Sequence, residues 1–195
     1  MATQDQLQLF TTATQYYVTG RFAASAGLHP VCANLFHHAV EMYLKGCLAE
    51  TLSLDDLKTR FGHRLPKLWQ DFKKRAASDH GLTRSDKERE ASAHELSRFD
   101  EVIRRLDAFE QIRYPDEIVK KGMVGVISWK AGDFTPSAST MVRPEPVYEI
   151  VVGDIDGLVY VIFKRCSMNP TFFTNGLNGD AQSYLYKWNA FFSAT

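Results

Sequence analysis

The sequence predicts a mainly α-helical protein: an antiparallel four-helix bundle over residues 1–116, a β-hairpin with a long loop over residues 117–153, and two C-terminal helices over residues 154–195 packed on the bundle. Apolar residues recur at three- and four-residue spacing along most of the chain, which is typical of amphipathic helices. Only the segment after the bundle contains short runs rich in β-branched residues. The length of 195 residues suits one domain with one core.

The first two helices are predicted at residues 4–26 and 34–50, with Gly27 and Pro30 between them. Pro30 opens the second helix, where its fixed φ and missing N–H cost little. Gly20 weakens the first helix, but its small size allows another helix to approach closely. The second helix buries one apolar stripe and carries four polar residues on its other face. They are His37, His38, Glu41 and Lys45.

The third and fourth helices are predicted at residues 63–77 and about 86–113. Pro66 must lie in the first turn of the third helix, because a proline further inside would break it. Ser85 and Glu88 have the spacing of a capping box and begin the fourth helix. Four helices joined by short loops are typical of an antiparallel bundle.

Two β-rich runs follow, at residues 123–129 and 146–152, separated by a segment rich in Gly, Pro, Ser and Thr. We interpret them as the two strands of a hairpin with a long loop. A lone hairpin is only marginally stable in water, so this one is expected to pack on the bundle or on a partner.

Two C-terminal helices are predicted, at residues 156–167 and 180–193. Asp154 or Asp156 is expected to cap the first of them, because aspartate accepts hydrogen bonds from the unpaired N–H groups of a helix start. Pro170 is expected to end it.

Composition limits the function classes. Lys+Arg and Asp+Glu are both 23, so the net charge is zero, which argues against a protein held on nucleic acid mainly by phosphate contacts. Cys32, Cys47 and Cys166 are odd in number and form no CxxC pair, so we expect free thiols rather than a disulfide framework or a zinc ribbon. Free thiols, the absence of a signal-like N-terminus and the lack of a long apolar run predict a cytoplasmic protein that does not cross a membrane.

The polar face of the second helix is the first candidate binding site. His37 and Glu41 are one turn apart, but His38 points about 100° away from His37, so these residues do not match a helical zinc signature. His63, at the start of the third helix, is a further candidate residue. No phosphate-binding loop, dinucleotide motif or G-x-S-x-G elbow is present, so we expect neither a metal nor a cofactor.

Three short motifs in the first 116 residues resemble those of the HEPN superfamily of small helical domains. That family shows an A-x-E-x-x-L-K second helix, a G-H-x-L-x-x-L third helix and a closing R-Y-P. The matching residues here are, in the same order, Ala39, Glu41, Leu44 and Lys45, then Gly62, His63, Leu65 and Leu68, then Arg113, Tyr114 and Pro115. The resemblance implies a homodimer built through the helical bundle.

Many HEPN proteins are metal-independent endoribonucleases with an Arg and a His four to six residues apart near the start of the last core helix. In that class the His transfers protons and the Arg stabilises the negative charge of the phosphate. Arg75 with His80 and Arg89 with His94 have this spacing, and only Arg89 and His94 lie where the family carries its site. Glu90 follows Arg89 where the family usually has a neutral polar residue, and its charge would repel RNA.

The resemblance implies an RNA-associated or nucleotide-associated module of a prokaryotic stress or defence system, of the toxin–antitoxin kind. We expect a non-catalytic protein that binds through His37, His38, Glu41, Lys45 and His63. One alternative is an endoribonuclease that uses Arg89 and His94 across a dimer. The other is an interaction scaffold whose aromatic hairpin and C-terminal helices contact a protein partner. The aromatic residues in question are Trp129, Tyr148, Trp188 and Phe191.

Overall fold

The computed structural model describes residues 2–78, 94–110, 124–130, 147–187, 189 and 191. Most of these residues are helical, which confirms the mainly α prediction. The elements in chain order are α1 (Gln4–Ser25), α2 (His29–Leu48), α3 (Leu54–Phe61), α4 (Leu65–Ser78), α5 (Asp100–Glu110), β1 (Val124–Ser128), β2 (Val147–Val151), α6 (Val152–Arg165), α7 (Pro170–Thr174) and α8 (Gly179–Tyr186). Within these ranges no helix is long and apolar enough to span a membrane.

Helices α1 and α2 form the centre of the molecule and approach each other closely at two glycines. A Cβ atom on Gly20 would lie 2.9 Å from the Phe36 ring, and one on Gly46 would lie 2.6 Å from the Phe10 ring. Both rings are completely buried, so neither glycine leaves room for a side chain. The prediction that Gly20 permits close helix packing is therefore confirmed.

One core joins the N-terminal helices to α6. The Phe10 ring of α1 makes edge contacts with Tyr43 of α2, at 5.3 Å between ring centroids, and with Phe163 of α6, at 5.1 Å. All three side chains are buried. Because the C-terminal helix α6 shares the core of α1 and α2, it belongs to the same hydrophobic unit.

Helix α4 begins at Leu65 with Pro66 in its first turn, as predicted. The fourth predicted helix differs, because a helical turn at residues 94–97 is followed by a non-helical turn at Arg98 and Phe99 before α5 begins. Apolar periodicity continues across this break, so the pattern alone could not reveal it. Residues 86–93 and 111–113 of that prediction lie outside the described residues.

The hairpin prediction was wrong, because β1 and β2 pair in parallel, with Val124 opposite Val147 and Ser128 opposite Val151. Parallel strands need a connection of a dozen or more residues between them. Residues 129–146 are long enough for that connection, and a β-rich sequence pattern does not encode strand direction. The predicted loop itself lies mostly outside the described residues.

The expected cap of the next helix was also wrong. Helix α6 begins directly after β2, and its N-cap, Val151, provides no side-chain hydrogen bond. Asp156 lies inside the helix and is buried against α1. Pro170 does not end α6 as expected but begins the separate helix α7, which is capped by the side chain of Asn169.

A buried ion pair holds the C-terminal segment on α1. The guanidinium group of Arg21, which is completely buried, donates hydrogen bonds to the Asp156 carboxylate and to the backbone carbonyls of Tyr184 and Lys187. Tyr17 donates a hydrogen bond to the same carboxylate. Arg21 thus contacts α6 and the end of α8 at once.

A disulfide joins Cys47, near the end of α2, to Cys166, the C-cap of α6, with 5.7 Å between their Cα atoms. The expectation of free thiols was therefore wrong for these two cysteines. They are 119 positions apart, so no local spacing could have indicated the pair. Cys32 keeps a buried thiol, and burial raises its pKa to about 12.

Candidate functional site

The A-x-E-x-x-L-K motif of α2 and the G-H-x-L-x-x-L motif at the start of α4 meet at the carboxylate of Glu41. Lys45 lies one turn further along α2 and donates to Glu41 Oε1 at 2.5 Å. His63 lies in the loop before α4, and its Nδ1 atom is 3.1 Å from both carboxylate oxygens. The side chain of Glu41 is completely buried beneath these partners.

The two neighbouring histidines complete this cluster. His38 Nδ1 lies 3.6 Å from Glu41 Oε2, and His37 Nε2 lies 3.8 Å from the same oxygen. His37 is buried, and its Nδ1 atom is 3.1 Å from the Leu106 carbonyl oxygen of α5. The structure thus brings all five predicted binding residues together around one carboxylate.

The cluster keeps Glu41 ionised. Burial would raise the pKa of Glu41, but interactions with His38, Lys45 and His63 outweigh burial and lower the pKa to about 2. An ionised carboxylate only accepts hydrogen bonds, so His63 Nδ1 must carry a proton. Glu41 therefore fixes the proton on Nδ1 of His63. The other ring nitrogen, Nε2, is not bonded to Glu41.

Three side chains of the cluster reach solvent to different extents. His63 is 60% exposed, His38 is 25% exposed and Lys45 is 13% exposed. The ring of His38 lies 5.6 Å from the Tyr16 ring and 6.4 Å from the His63 ring, measured between centroids. We call Tyr16, His38, Lys45 and His63 the motif face. It combines aromatic rings with groups that donate hydrogen bonds.

We expect the ionised Glu41 to stabilise the fold in a pH-dependent way. Its pKa is lower when folded, about 2, than its ordinary value of 4.5, so its contribution is complete above pH 4.5 and is lost as the pH falls toward 2. Glu41→Gln should lower the free energy of unfolding at pH 7 by roughly 3 kcal/mol, and this difference should shrink as the pH approaches 2.

Urea unfolding of both proteins between pH 7 and pH 2 measures this effect. Glu101→Gln is the matched control, because Glu101 also has a pKa of about 2, through hydrogen bonds from Arg104 and Arg105, but is 48% exposed. Solvent screening makes its expected effect less than 1 kcal/mol. An equal loss in both variants would contradict a buried role for Glu41.

The predicted nuclease residues are only partly described. His94 is exposed and belongs to the helical segment described at residues 94–97, whereas Arg89 lies outside the described residues. Whether the two side chains converge stays a prediction. Arg75, of the other pair, makes long hydrogen bonds to the carbonyl oxygens of Cys47 and Leu48, at 3.4 and 3.5 Å, and His80 lies outside the described residues.

The aromatic residues proposed for a scaffold surface have different surroundings. Trp129 is partly buried, with the Arg21 guanidinium 5.3 Å from its ring centroid. Phe191 is 37% exposed and stacks on Tyr160, with 5.0 Å between centroids. The side chains of Tyr148 and Trp188 lie outside the described residues.

A cleft of about 470 Å³, which no sequence pattern predicts, lies between α5, β2 and the first turn of α6. Its apolar lining includes Phe99, Leu106, Ile150, Ile155 and Phe191. Gly153 closes one wall, since a Cβ atom there would lie 2.8 Å from the Trp129 carbonyl oxygen. The cleft depends on parallel pairing of β2 and on the early start of α6, and neither could be read from the sequence.

Charged residues line the rim of this cleft. Arg105 pairs with Glu101 at 2.9 Å and with Glu149 at 3.1 Å, and Arg104 also pairs with Glu101, so two arginines balance the two carboxylates. Burial raises the pKa of Asp154, and the nearby guanidinium groups of Arg105 and Arg98 limit the rise. Raised carboxylate pKa values occur often at binding and catalytic sites.

Within the described part of the chain, no group of three or more His, Cys, Asp or Glu residues is arranged to hold a metal ion. Comparisons of the whole chain with protein-family models, with curated proteins and with solved structures find no match.

Proposed function

We propose that the chain is a HEPN-like, RNA-associated or nucleotide-associated module of a prokaryotic stress or defence system. One observation carries this proposal: the residues of the two separate motifs meet. Glu41 of the A-x-E-x-x-L-K motif, which accepts a hydrogen bond from Lys45 of the same motif, also contacts His63 of the G-H-x-L motif across 22 positions of sequence. Because these residues contact one another, the motifs act as one structural unit rather than as two degenerate patterns.

The motif face has the chemistry that single-stranded RNA requires. Aromatic rings such as those of Tyr16, His38 and His63 can stack on bases, and Lys45 can donate to a phosphate. The carboxylate of Glu41 is buried, so it orients the donors without presenting its own oxygen atoms to the ligand. The proposed module is a homodimer and binds without cleaving.

RNA binding by the motif face can be measured with a fluorescein-labelled single-stranded RNA in a buffer that contains a chelator. The double variant Lys45→Met/His63→Gln should bind about tenfold more weakly than the wild type, because it loses the ammonium group that donates to phosphate and an aromatic ring that stacks on a base. Lys74→Met removes the same charge from a side chain that is 78% exposed on α4, and it should bind like the wild type.

Equal affinities for all three proteins, or no binding by the wild type, would refute the motif face as an RNA site. Circular dichroism of each variant shows whether the fold is intact, so that lost binding is not mistaken for unfolding.

The second candidate function is a metal-independent endoribonuclease that uses Arg89 and His94. The exposed position of His94 on a helical segment favours it. Gel analysis of the same RNA after incubation distinguishes the two functions. Cleavage by the wild type that both Arg89→Ala and His94→Ala abolish would establish the nuclease, whereas intact RNA with measurable binding supports the non-catalytic module.

A further inference from the structure

We propose that His63 is a phosphoryl acceptor, whose Nε2 atom takes a phosphoryl group from an acyl phosphate. This inference names a site of covalent modification, and only its consequence for RNA binding rests on the proposed function. His63 lies in the loop before α4, and its side chain is 60% exposed. A phosphoryl donor can therefore reach the ring from solvent.

The first argument is the orientation of the imidazole ring. Its Nδ1 atom lies 3.1 Å from both oxygen atoms of Glu41, a completely buried carboxylate with a pKa of about 2. An ionised carboxylate accepts hydrogen bonds, so the proton of the neutral ring stays on Nδ1 and the lone pair stays on Nε2. In the part of the chain that the structure describes, Nε2 has no hydrogen-bond partner, so its lone pair can attack a donor.

The second argument is the charge that the reaction creates. The Nε2 lone pair attacks the phosphorus atom, the bond from phosphorus to the acyl oxygen breaks, and a carboxylate leaves with that electron pair. The phosphorylated ring keeps the proton on Nδ1 and becomes positively charged. The ionised Glu41 lies against this proton and stabilises the new charge, as the carboxylate of a catalytic triad does for its histidine.

The third argument is the set of cations near the ring, because an acyl phosphate is an anion. The Lys45 ammonium group contacts Oε1 of the same carboxylate at 2.5 Å, so it lies beside the imidazole. Arg64 and Lys67 are exposed, and both donate to the Arg60 carbonyl oxygen, at 2.8 and 2.9 Å. Within the described ranges neither forms an ion pair with a carboxylate. These cations attract the donor and can bind its phosphoryl oxygen atoms.

Phosphorus nuclear magnetic resonance of the protein after incubation with acetyl phosphate tests the site, because it separates the Nε2 and Nδ1 isomers of phosphohistidine. The wild type should gain an acid-labile phosphoryl group as the Nε2 isomer. His63→Gln should abolish this signal. Lys74→Met removes a cation that is 78% exposed on α4, and it should keep the signal.

Peptide mapping by mass spectrometry compares two exposed histidines of the same wild-type chain. His63 has the buried carboxylate behind its ring, whereas His94 lies on the helical segment at residues 94–97. His63 should be modified at least tenfold faster than His94, since only a positioned histidine gains from the carboxylate.

Glu41→Gln tests whether Glu41 acts as a positioning residue, because glutamine keeps the size of glutamate but not its charge. The variant should accept the phosphoryl group at least tenfold more slowly than the wild type. Nitrogen chemical shifts of the unmodified His63 ring should show the Nδ1–H tautomer in the wild type and a mixture of tautomers in Glu41→Gln. Lower stability alone would not change the tautomer.

Phosphorylation of His63 should weaken RNA binding by the motif face at least tenfold, because it adds negative charge beside Lys45 and His38. Fluorescein-labelled RNA measures this change in the modified protein. Phosphorylation of His63 in a protein that binds no RNA would keep the acceptor site and overturn the proposed function. Unchanged RNA affinity after phosphorylation would overturn the effect on the motif face.

A wild type that gains no phosphoryl group, or a signal that persists in His63→Gln, would overturn the inference. Equal rates at His63 and His94 would overturn it as well, because exposure alone would then account for the reaction. RNA binding that depends on Lys45 and His63 without any phosphorylation would overturn the acceptor site and leave the proposed function standing.

Discussion

Arg21→Met should lower the free energy of unfolding by roughly 3–5 kcal/mol, which is a large part of the stability of a domain of this size. Arg21 is completely buried and pairs with Asp156, whose side chain is 2% exposed. Methionine matches much of the volume of arginine but leaves the Asp156 carboxylate without its cation. Removal of one partner from a buried pair costs more than removal of both, because the other charge remains in the protein interior.

Loss of Arg21 should also loosen the C-terminal segment. Arg21 Nε donates to the Tyr184 carbonyl oxygen at 2.9 Å, and a second donor of the same group reaches the Lys187 carbonyl oxygen. Asn189 is held nearby by a 2.9 Å hydrogen bond to the Tyr17 hydroxyl. Amide exchange around residues 184–189 should therefore accelerate in Arg21→Met more than in α2.

Two further variants show whether the lost Arg21–Asp156 ion pair causes the lower free energy of unfolding. Arg104→Met removes an arginine that is 70% exposed and bonded to Glu101, and it should cost less than 1 kcal/mol. Arg21→Met combined with Asp156→Asn should recover part of the lost stability, because asparagine carries no charge that needs a partner. Equal destabilisation by Arg21→Met and Arg104→Met in urea unfolding would contradict the buried pair.

Reduction of the Cys47–Cys166 disulfide should lower the free energy of unfolding by roughly 2–5 kcal/mol. The bond closes a loop across 119 positions, so it restricts the unfolded chain strongly in the chain-entropy account. It also fastens the end of α2 to the end of α6, which share the core around Phe163. Urea unfolding with and without a reductant measures the change.

The remaining cysteine provides the matched control. Cys32→Ala keeps the disulfide, so the reductant should destabilise this variant as much as the wild type. Cys166→Ala lacks the disulfide, and the reductant should leave its unfolding curve unchanged. A wild-type curve that does not move in reductant would contradict a stabilising disulfide.

The helices could be predicted from the sequence because their signals are local. Apolar spacing locates the ends of α1 and α4 to within two residues, whereas α2 begins at His29, five residues before its predicted start. Pro66 and Gly20 lie where their backbone and size properties require. The binding residues around Glu41 could be grouped for the same reason, since His37, His38 and Lys45 share one helix. His63 lies outside that helix, and the resemblance, rather than spacing, implied that it belongs with them.

The misinterpreted features depend on partners far away in the sequence. Asp156 looks like a helix cap in its local context, but its partner Arg21 lies 135 positions earlier. Strand direction, the disulfide and the cleft likewise depend on how distant segments meet. A charged residue near a predicted helix start can therefore be either a helix cap or one partner of a buried ion pair. The local sequence does not distinguish the two roles.

The most direct test of the central claim, that the motif face contacts RNA, is a nuclear magnetic resonance titration of the histidine rings with single-stranded RNA. If the motif face contacts RNA, the ring resonances of His38 and His63, which are 25% and 60% exposed, shift on binding. His37 is 1% exposed and serves as the internal control, whose ring resonance should stay in place. RNA binding that leaves the ring resonances of His38 and His63 unshifted would show that RNA does not contact the motif face.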